Sequence, residues 1–246
     1  HAPIKNSGSG LISNGTVTAP SVLTFHDYEI KFSGASGYTI VDATTGTGIK
    51  GNYTGTAIVP PTVDAPFNII GGGNDTLVVS VDGTTSGTIT LSGVASPGQP
   101  YTSGAALAVE LESKINADAT LVAAGRQVGV VFDSTTNRLV LQSNSVGGTS
   151  VVDVTGGTAR GGLGLSAGTS TAASGTYSGP QTFNIDGISV TVTGAPAAND
   201  VLSVNTRENA ARDLTVALSD PAKIALSSTR AGVPGNNQNG LALVSL

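Results

Sequence analysis

The feature that most constrains this chain is a stretch with apolar residues at every second position on both sides of an Asp-Gly pair. Phe183 and Ile185 precede Asp186-Gly187, and Ile188, Val190 and Val192 follow. Alternation at period 2 marks a strand with one face in a core. Asp-Gly is the pair that a tight hairpin turn favours, because both residues tolerate positive φ. The same grammar recurs along the chain. Tyr28, Ile30 and Phe32 alternate with Glu29 and Lys31, and Tyr38-Thr39-Ile40 repeats the pattern after a turn. Leu77, Val79 and Val81 run into Asp82-Gly83, with Ile89 and Leu91 returning after a longer loop. Val128, Val130 and Phe132 lead through residues 133–137 into Leu139-Val140-Leu141, and short strands are expected at residues 151–154 and 201–204. Ala57-Ile58-Val59 reads as one more, stopped by Pro60-Pro61, which removes two backbone donors.

One segment breaks the rule. Residues 105–116 place Leu107, Leu111 and Ile115 four apart, with Glu110, Glu112 and Lys114 off that stripe, as in an amphipathic helix. Thr102 or Ser103 can cap its first turn. Asp220-Pro221 opens a second, shorter helix near residues 220–225, and the apolar end from Asn239 to Leu246 could begin another. The expected fold is therefore mainly β with antiparallel sheets, in sandwich- or barrel-like units, and a small α+β part around the main helix. Residues 1–10 read as loose, and the Gly- and Ser-rich tract 156–175 as loops and a linker.

Composition narrows the function. Only 11% of residues are charged, the net charge is −5, and the chain has just 11 Lys and Arg, so a phosphate backbone or an anionic membrane finds no counter-charge. Neither nucleic acid nor membrane is an expected partner, and no apolar run is long enough to span a bilayer. Cysteine, methionine and tryptophan are absent. A domain of this size without disulfides fits a bacterial surface or appendage protein. With no Met at position 1, His1 is expected to be a trimmed or processed boundary.

The reactive residues do not assemble into a catalytic pattern. His26 is the single internal histidine, and on a strand its neighbours Asp27, Tyr28 and Glu29 point alternately away, so it reads as solvated surface rather than a metal ligand or a catalytic base. Asp82, Asp133 and Asp186 read as turn residues that bond their own backbone. The glycines of residues 156–164 lack the Gly-Lys-Ser/Thr ending of a phosphate loop. Glu110 and Glu112, two apart on a helix, diverge and read as a solvated face. Asn14-Gly15-Thr16 and Asn52-Tyr53-Thr54 match a glycosylation pattern that bacterial exported proteins rarely use. No catalytic, cofactor-binding or metal-ligating residue is expected, and the chain is not expected to be an enzyme.

The order of the motifs carries a resemblance. The segment DYEIKFSGASGYTIVDATTGTGI, then FNIDGISVTVTGAPAANDVLSV, LSDPAKIALSS and NNQNGLAL, resembles the flagellar hook-associated protein 1 family, the junction between hook and filament. The middle segment, with NDTLVVSVDGTTSGTITLSG, SGAALAVELESKIN and VVFDSTTNRLVLQS, resembles an insertion found in hook and flagellin-type proteins. Together these cover most of residues 25–246. The resemblance implies a discontinuous β domain, residues 1–64 plus 171–246, with an α+β domain inserted over residues 65–170. It implies export through the flagellar secretion apparatus to the bacterial flagellum outside the cell, and an outward-facing structural role. Contacts to hook protein and other hook-associated proteins would lie in terminal helices outside this sequence, leaving this part a monomer. The alternative is a surface adhesin or carbohydrate-binding β module, against which the absence of Trp and an aromatic content of 4% weigh.

Overall fold

A computed structural model describes residues 6–34, 36–58, 69, 71–92, 101 and 103–206. The short helix expected near 220–225, the apolar C-terminal segment and the Pro60-Pro61 pair lie outside the described residues. The strands are β1 (Leu11–Ile12), β2 (Thr16–Val17), β3 (Tyr28–Ser33), β4 (Gly37–Asp42), β5 (Thr47–Gly48) and β6 (Asn52–Thr54). Next come β7 (Thr76–Val81), β8 (Thr84–Thr85), β9 (Ile89–Thr90), β10 (Val128–Asp133) and β11 (Arg138–Ser143). The last are β12 (Val152–Gly156), β13 (Thr169–Thr171), β14 (Ser174–Thr176), β15 (Gln181–Ile185), β16 (Ile188–Thr193) and β17 (Val201–Val204). Between β9 and β10 run the helices α1 (Gly104–Asn116) and α2 (Ala119–Ala123). The described residues are mostly β, with antiparallel sheets and one main helix.

The strands build four sheets around two cores. One core lies among β10-β11-β6-β13, the sheet β12-β7-β8 with β9 added to β7, and α1. Helix α1 starts where the Ser103 hydroxyl accepts the Ala106 N–H, which satisfies one of the free donors of the first turn. It buries Leu107, Ala108, Leu111 and Ile115 against Leu77, Val79, Val128 and Leu141. The other core lies between β14-β4-β3-β17 and the sheet in which β16 holds β1, β2 and β15. Tyr28, Ile30, Ile40, Phe183, Ile185 and Val192 fill it, with Tyr38 and Phe183 edge to face.

The turn chemistry follows the sequence. Asp186 and Gly187, at φ 42° and 85°, join β15 to β16 with Ile185 opposite Ile188. Asp82 and Gly83, at φ 50° and 82°, do the same between β7 and β8. The longer loop expected after Asp82-Gly83 is instead a tight turn into β8, and β9 then returns to pair with β7.

Three readings change. Residues 6–10, expected to be loose, are tied down: the Asp200 carboxylate accepts the backbone N–H groups of Ser7, Gly8 and Ala197. The tract 156–175, expected to be loops and linker, contains β13, β14 and a turn that buries Ala159, Leu163 and Leu165. The strand expected at 57–59 is displaced to β6, where Asn52, Tyr53 and Thr54 are all buried. Period-2 reading missed β6 because neither of its faces meets solvent. Val59 is outside the described residues.

The two cores meet through polar contacts, one from a side chain and two from the backbone. The Asn52 amide donates to Asn184 O, Ala173 N–H to Ser150 O, and Gly147 N–H to Ile49 O. A Cβ on Gly48 would stand 2.3 Å from the Gly147 Cα, so this crossing requires glycine. No helix among the described residues is long and apolar enough to cross a membrane.

Candidate functional site

Residues 20–27, running from a 3-10 turn (Pro20–Val22) to the start of β3, form a strap gripped by a turn from each core. The two turns share one sequence, Asp-x-Thr-Thr followed by Asn or Gly. In the first, Asp133 Oδ1 accepts the N–H groups of Thr135 at 3.0 Å and Thr136 at 2.8 Å, and the Thr136 hydroxyl at 3.0 Å. Asn137 takes φ 53° to re-enter β11. In the second, Asp42 Oδ1 accepts Thr44 N–H at 2.9 Å and Thr45 N–H at 3.0 Å, and Gly46 takes φ 75°. A carboxylate that bonds its own backbone two and three residues on makes such a turn self-sufficient. Its second oxygen is left free to reach elsewhere.

Both turns use that second oxygen on the strap. Asp133 Oδ2 accepts the Ser21 N–H at 2.7 Å, and Asp42 Oδ2 meets His26 Nδ1 at 2.7 Å. Burial pushes both carboxyls up, yet the donors outweigh it and hold both below the usual carboxylate range. For Asp42 these are His26 and the N–H groups of Thr45 and Thr44; for Asp133 they are Ser21 and Thr136.

Beneath the strap is a cavity of about 420 Å³. Its lining includes His26 of the strap, Asp42, Lys50 and Asp186 from one core's sheets and loops, and Val131 and Gln142 from β10 and β11. Asp186 accepts from the Tyr28 hydroxyl at 2.8 Å and from the Gln142 amide at 3.2 Å. Tyr28 in turn bonds the Thr24 hydroxyl. Burial raises the Asp186 carboxyl, and the nearby Asp42 charge adds to that, against the Tyr28 hydrogen bond. The Tyr28 phenol is raised as well, chiefly by burial. Gly187 O accepts Thr18 and Ala19 N–H, so the same turn also anchors the approach to the strap.

The sequence placed His26 on the solvated surface; the structure half-buries it against Asp42. Asp82, Asp133 and Asp186 do stand at turns, but each also reaches a distant element. Asp82 accepts Val151 N–H and the Ser143 and Ser145 hydroxyls. Glu112, read as solvated, accepts Val130 N–H, and Glu110 accepts the Ser92 hydroxyl. Asn14 is exposed, whereas Asn52 is buried in the link to Asn184. Among the described residues no three His, Cys, Asp or Glu converge as a metal site would require. Asp42, Ser21, Thr24 and Gln142 were not singled out by sequence reading. The repeated Asp-x-Thr-Thr is the signal that could have found Asp42.

No protein family matches this chain, and no curated protein matches it either. Two solved structures are similar to it. FliD (HAP2) from Pseudomonas aeruginosa aligns at 18% identity over 83% of this chain and 87% of that one, with a TM-score of 0.31. Domains of the flagellar cap protein FliD from Serratia marcescens align at 12% identity over 78% of this chain and 99% of that one, with a TM-score of 0.28. The sequence motifs resembled the hook–filament junction family, whereas a cap protein is named among these structures.

Proposed function

We propose that this chain is an outward-facing structural part of a bacterial flagellar protein, outside the cell, and within that class a hook–filament junction adaptor. The observation that carries the reading is the ordered succession of motifs from residue 25 onward that resembles the junction family. The architecture supports it: two cores cross-linked by strands and turns far apart in sequence suit a part that must hold shape under load. Asp42 and Asp133, which grip the strap, use their oxygens on its donors and on their own turns, as suits mechanical rather than catalytic work. In this reading the chain is not an enzyme. It is monomeric in isolation and meets hook protein and other hook-associated proteins through helices outside this sequence.

Antibodies raised against residues 6–206 test the reading by immunogold microscopy of flagellated cells. Label at the hook–filament boundary supports the junction adaptor. Label at the filament tip replaces it with a cap role, and label scattered over the cell body overturns the flagellar reading. Turnover of an ester, peptide or glycoside substrate by the purified chain would overturn the non-enzymatic one.

A further inference from the structure

Asp186 does more than its turn requires. At φ 42° before a glycine, an asparagine would serve the hairpin at least as well. The position instead holds a half-buried carboxyl on the wall of a cavity, where burial and the Asp42 charge both disfavour its ionised form. Four elements face it. Strand β3 supplies the Tyr28 hydroxyl and the strap supplies Thr24 and His26. The end of β4 supplies Asp42, and β11 supplies the neutral Gln142, with Lys50 on the same cavity.

The hydroxyl chain Thr24–Tyr28–Asp186 can run in either direction. With Asp186 ionised, Thr24 donates to Tyr28 and Tyr28 donates to the carboxylate. With Asp186 protonated, the acid O–H donates to the Tyr28 oxygen and Tyr28 turns its hydrogen to Thr24. The Gln142 amide donates to the other oxygen in both states. Tyr28 and Asp186 keep each other as partners either way, because hydroxyls both donate and accept; the exposed Thr24 hydroxyl, which also accepts the His26 N–H, turns its own hydrogen to solvent in the reversed state. A site that serves one charge state alone would lose a bond on changing state.

We propose that Asp186 is a proton-binding latch at the joint between the two cores: it takes one proton from solvent, reverses the hydroxyl chain, and removes a negative charge facing Asp42. The joint keeps its Tyr28 and Gln142 bonds in both states and is less stable in the ionised one, where two carboxylates oppose each other. The raised Asp186 carboxyl agrees with this. Because the folded protein holds this proton more tightly than the unfolded chain, stability falls as pH rises from 3.8 to the Asp186 midpoint, and the full penalty remains above it.

Carboxyl-carbon NMR of the full chain across pH tests the proposal. The expected result is an Asp186 midpoint above 3.8, with the Gln142 side-chain amide signals moving at the same midpoint. Asp186→Asn should melt higher than the parent at neutral pH, with the difference closing as pH falls from that midpoint towards 3.8. Tyr28→Phe removes a partner of both states, but the bond to the charged carboxylate is the stronger of the two, so the midpoint should shift further upward, and the idea stays testable if the Asn variant fails to fold. An Asp186 midpoint at or below 3.8, Gln142 signals that ignore its titration, or a Tyr28→Phe midpoint unchanged from the parent would each overturn the latch.

Discussion

Replacing Asp133 by alanine removes the acceptor of a turn and of the strap at once. The side chain is fully buried and takes four hydrogen bonds, from Thr135 N, Thr136 N, the Thr136 hydroxyl and Ser21 N. Bonds to a charged acceptor are worth about 1.5–3 kcal/mol each. They do not add here, since the three turn donors share one oxygen and can turn to water once the carboxylate is gone. A net loss of about 3 kcal/mol is expected, among the larger effects of single substitutions. In a urea titration with an m-value of about 3 kcal/mol/M, that moves the midpoint by about 1 M.

Asp133→Asn divides the effect. Its oxygen can keep the turn donors, while its amide nitrogen then opposes the Ser21 N–H, donor against donor. It should cost about 1–2 kcal/mol, the value of a single buried donor left unsatisfied. Hydrogen exchange should quicken at Ser21 in both variants, and at Thr135 and Thr136 in the alanine variant alone. An alanine variant that shifts the midpoint by less than about 0.3 M refutes the claim that this carboxylate organises the joint. An asparagine variant as costly as alanine refutes the division between turn and strap.

Three further outcomes follow from the same geometry. Gly104→Ala would place a Cβ 2.2 Å from the Phe132 ring, so β10 or the first turn of α1 must shift, and a loss of about 2 kcal/mol in thermal or urea unfolding is expected for such overpacking. Asp42, Asp133 and Asp200 all have carboxyls held below the ordinary value of 3.8, so the stability they confer is complete above that pH and is lost as pH falls through their lower folded-state values; melting curves on descending below pH 3.8 should show it, and a melting temperature flat through that range would contradict it. A double-mutant cycle of Asp42→Ala with Asp133→Ala should give a coupling above about 0.5 kcal/mol, because both act on one strap, whereas additive losses would make the strap two separate attachments.

Most of the strand pattern was legible because most strands have one face in a core and one in solvent. Tyr28, Ile30 and Phe32 are buried in β3 while Lys31 is exposed, and Leu77, Val79 and Val81 alternate in β7 in the same way. Where that asymmetry fails, the reading fails. In β6 all three residues are buried, and the short strands β13 and β14 are drawn from Thr, Ser and Gly with a single fully buried residue, Thr171, between them. Such segments become strands because neighbours already in place offer a free edge: β13 completes β6, and β14 completes β4. Tertiary pairing decides them, and no local propensity could.

The site was legible only in halves for a related reason. That Asp133 and Asp186 stand in turns follows from the four or five residues around each. That they also hold Ser21, Tyr28 and Gln142 depends on contacts 112, 158 and 44 residues away, which a local pattern does not encode. One clue did cross that distance: Asp-x-Thr-Thr occurs at both residue 42 and residue 133. A turn of this kind satisfies itself with one carboxylate oxygen, so wherever it is buried the other oxygen must find a donor or bear the cost of burial. Two buried copies therefore demand two donors beyond their own hairpins, and a strap lying between the cores supplies both.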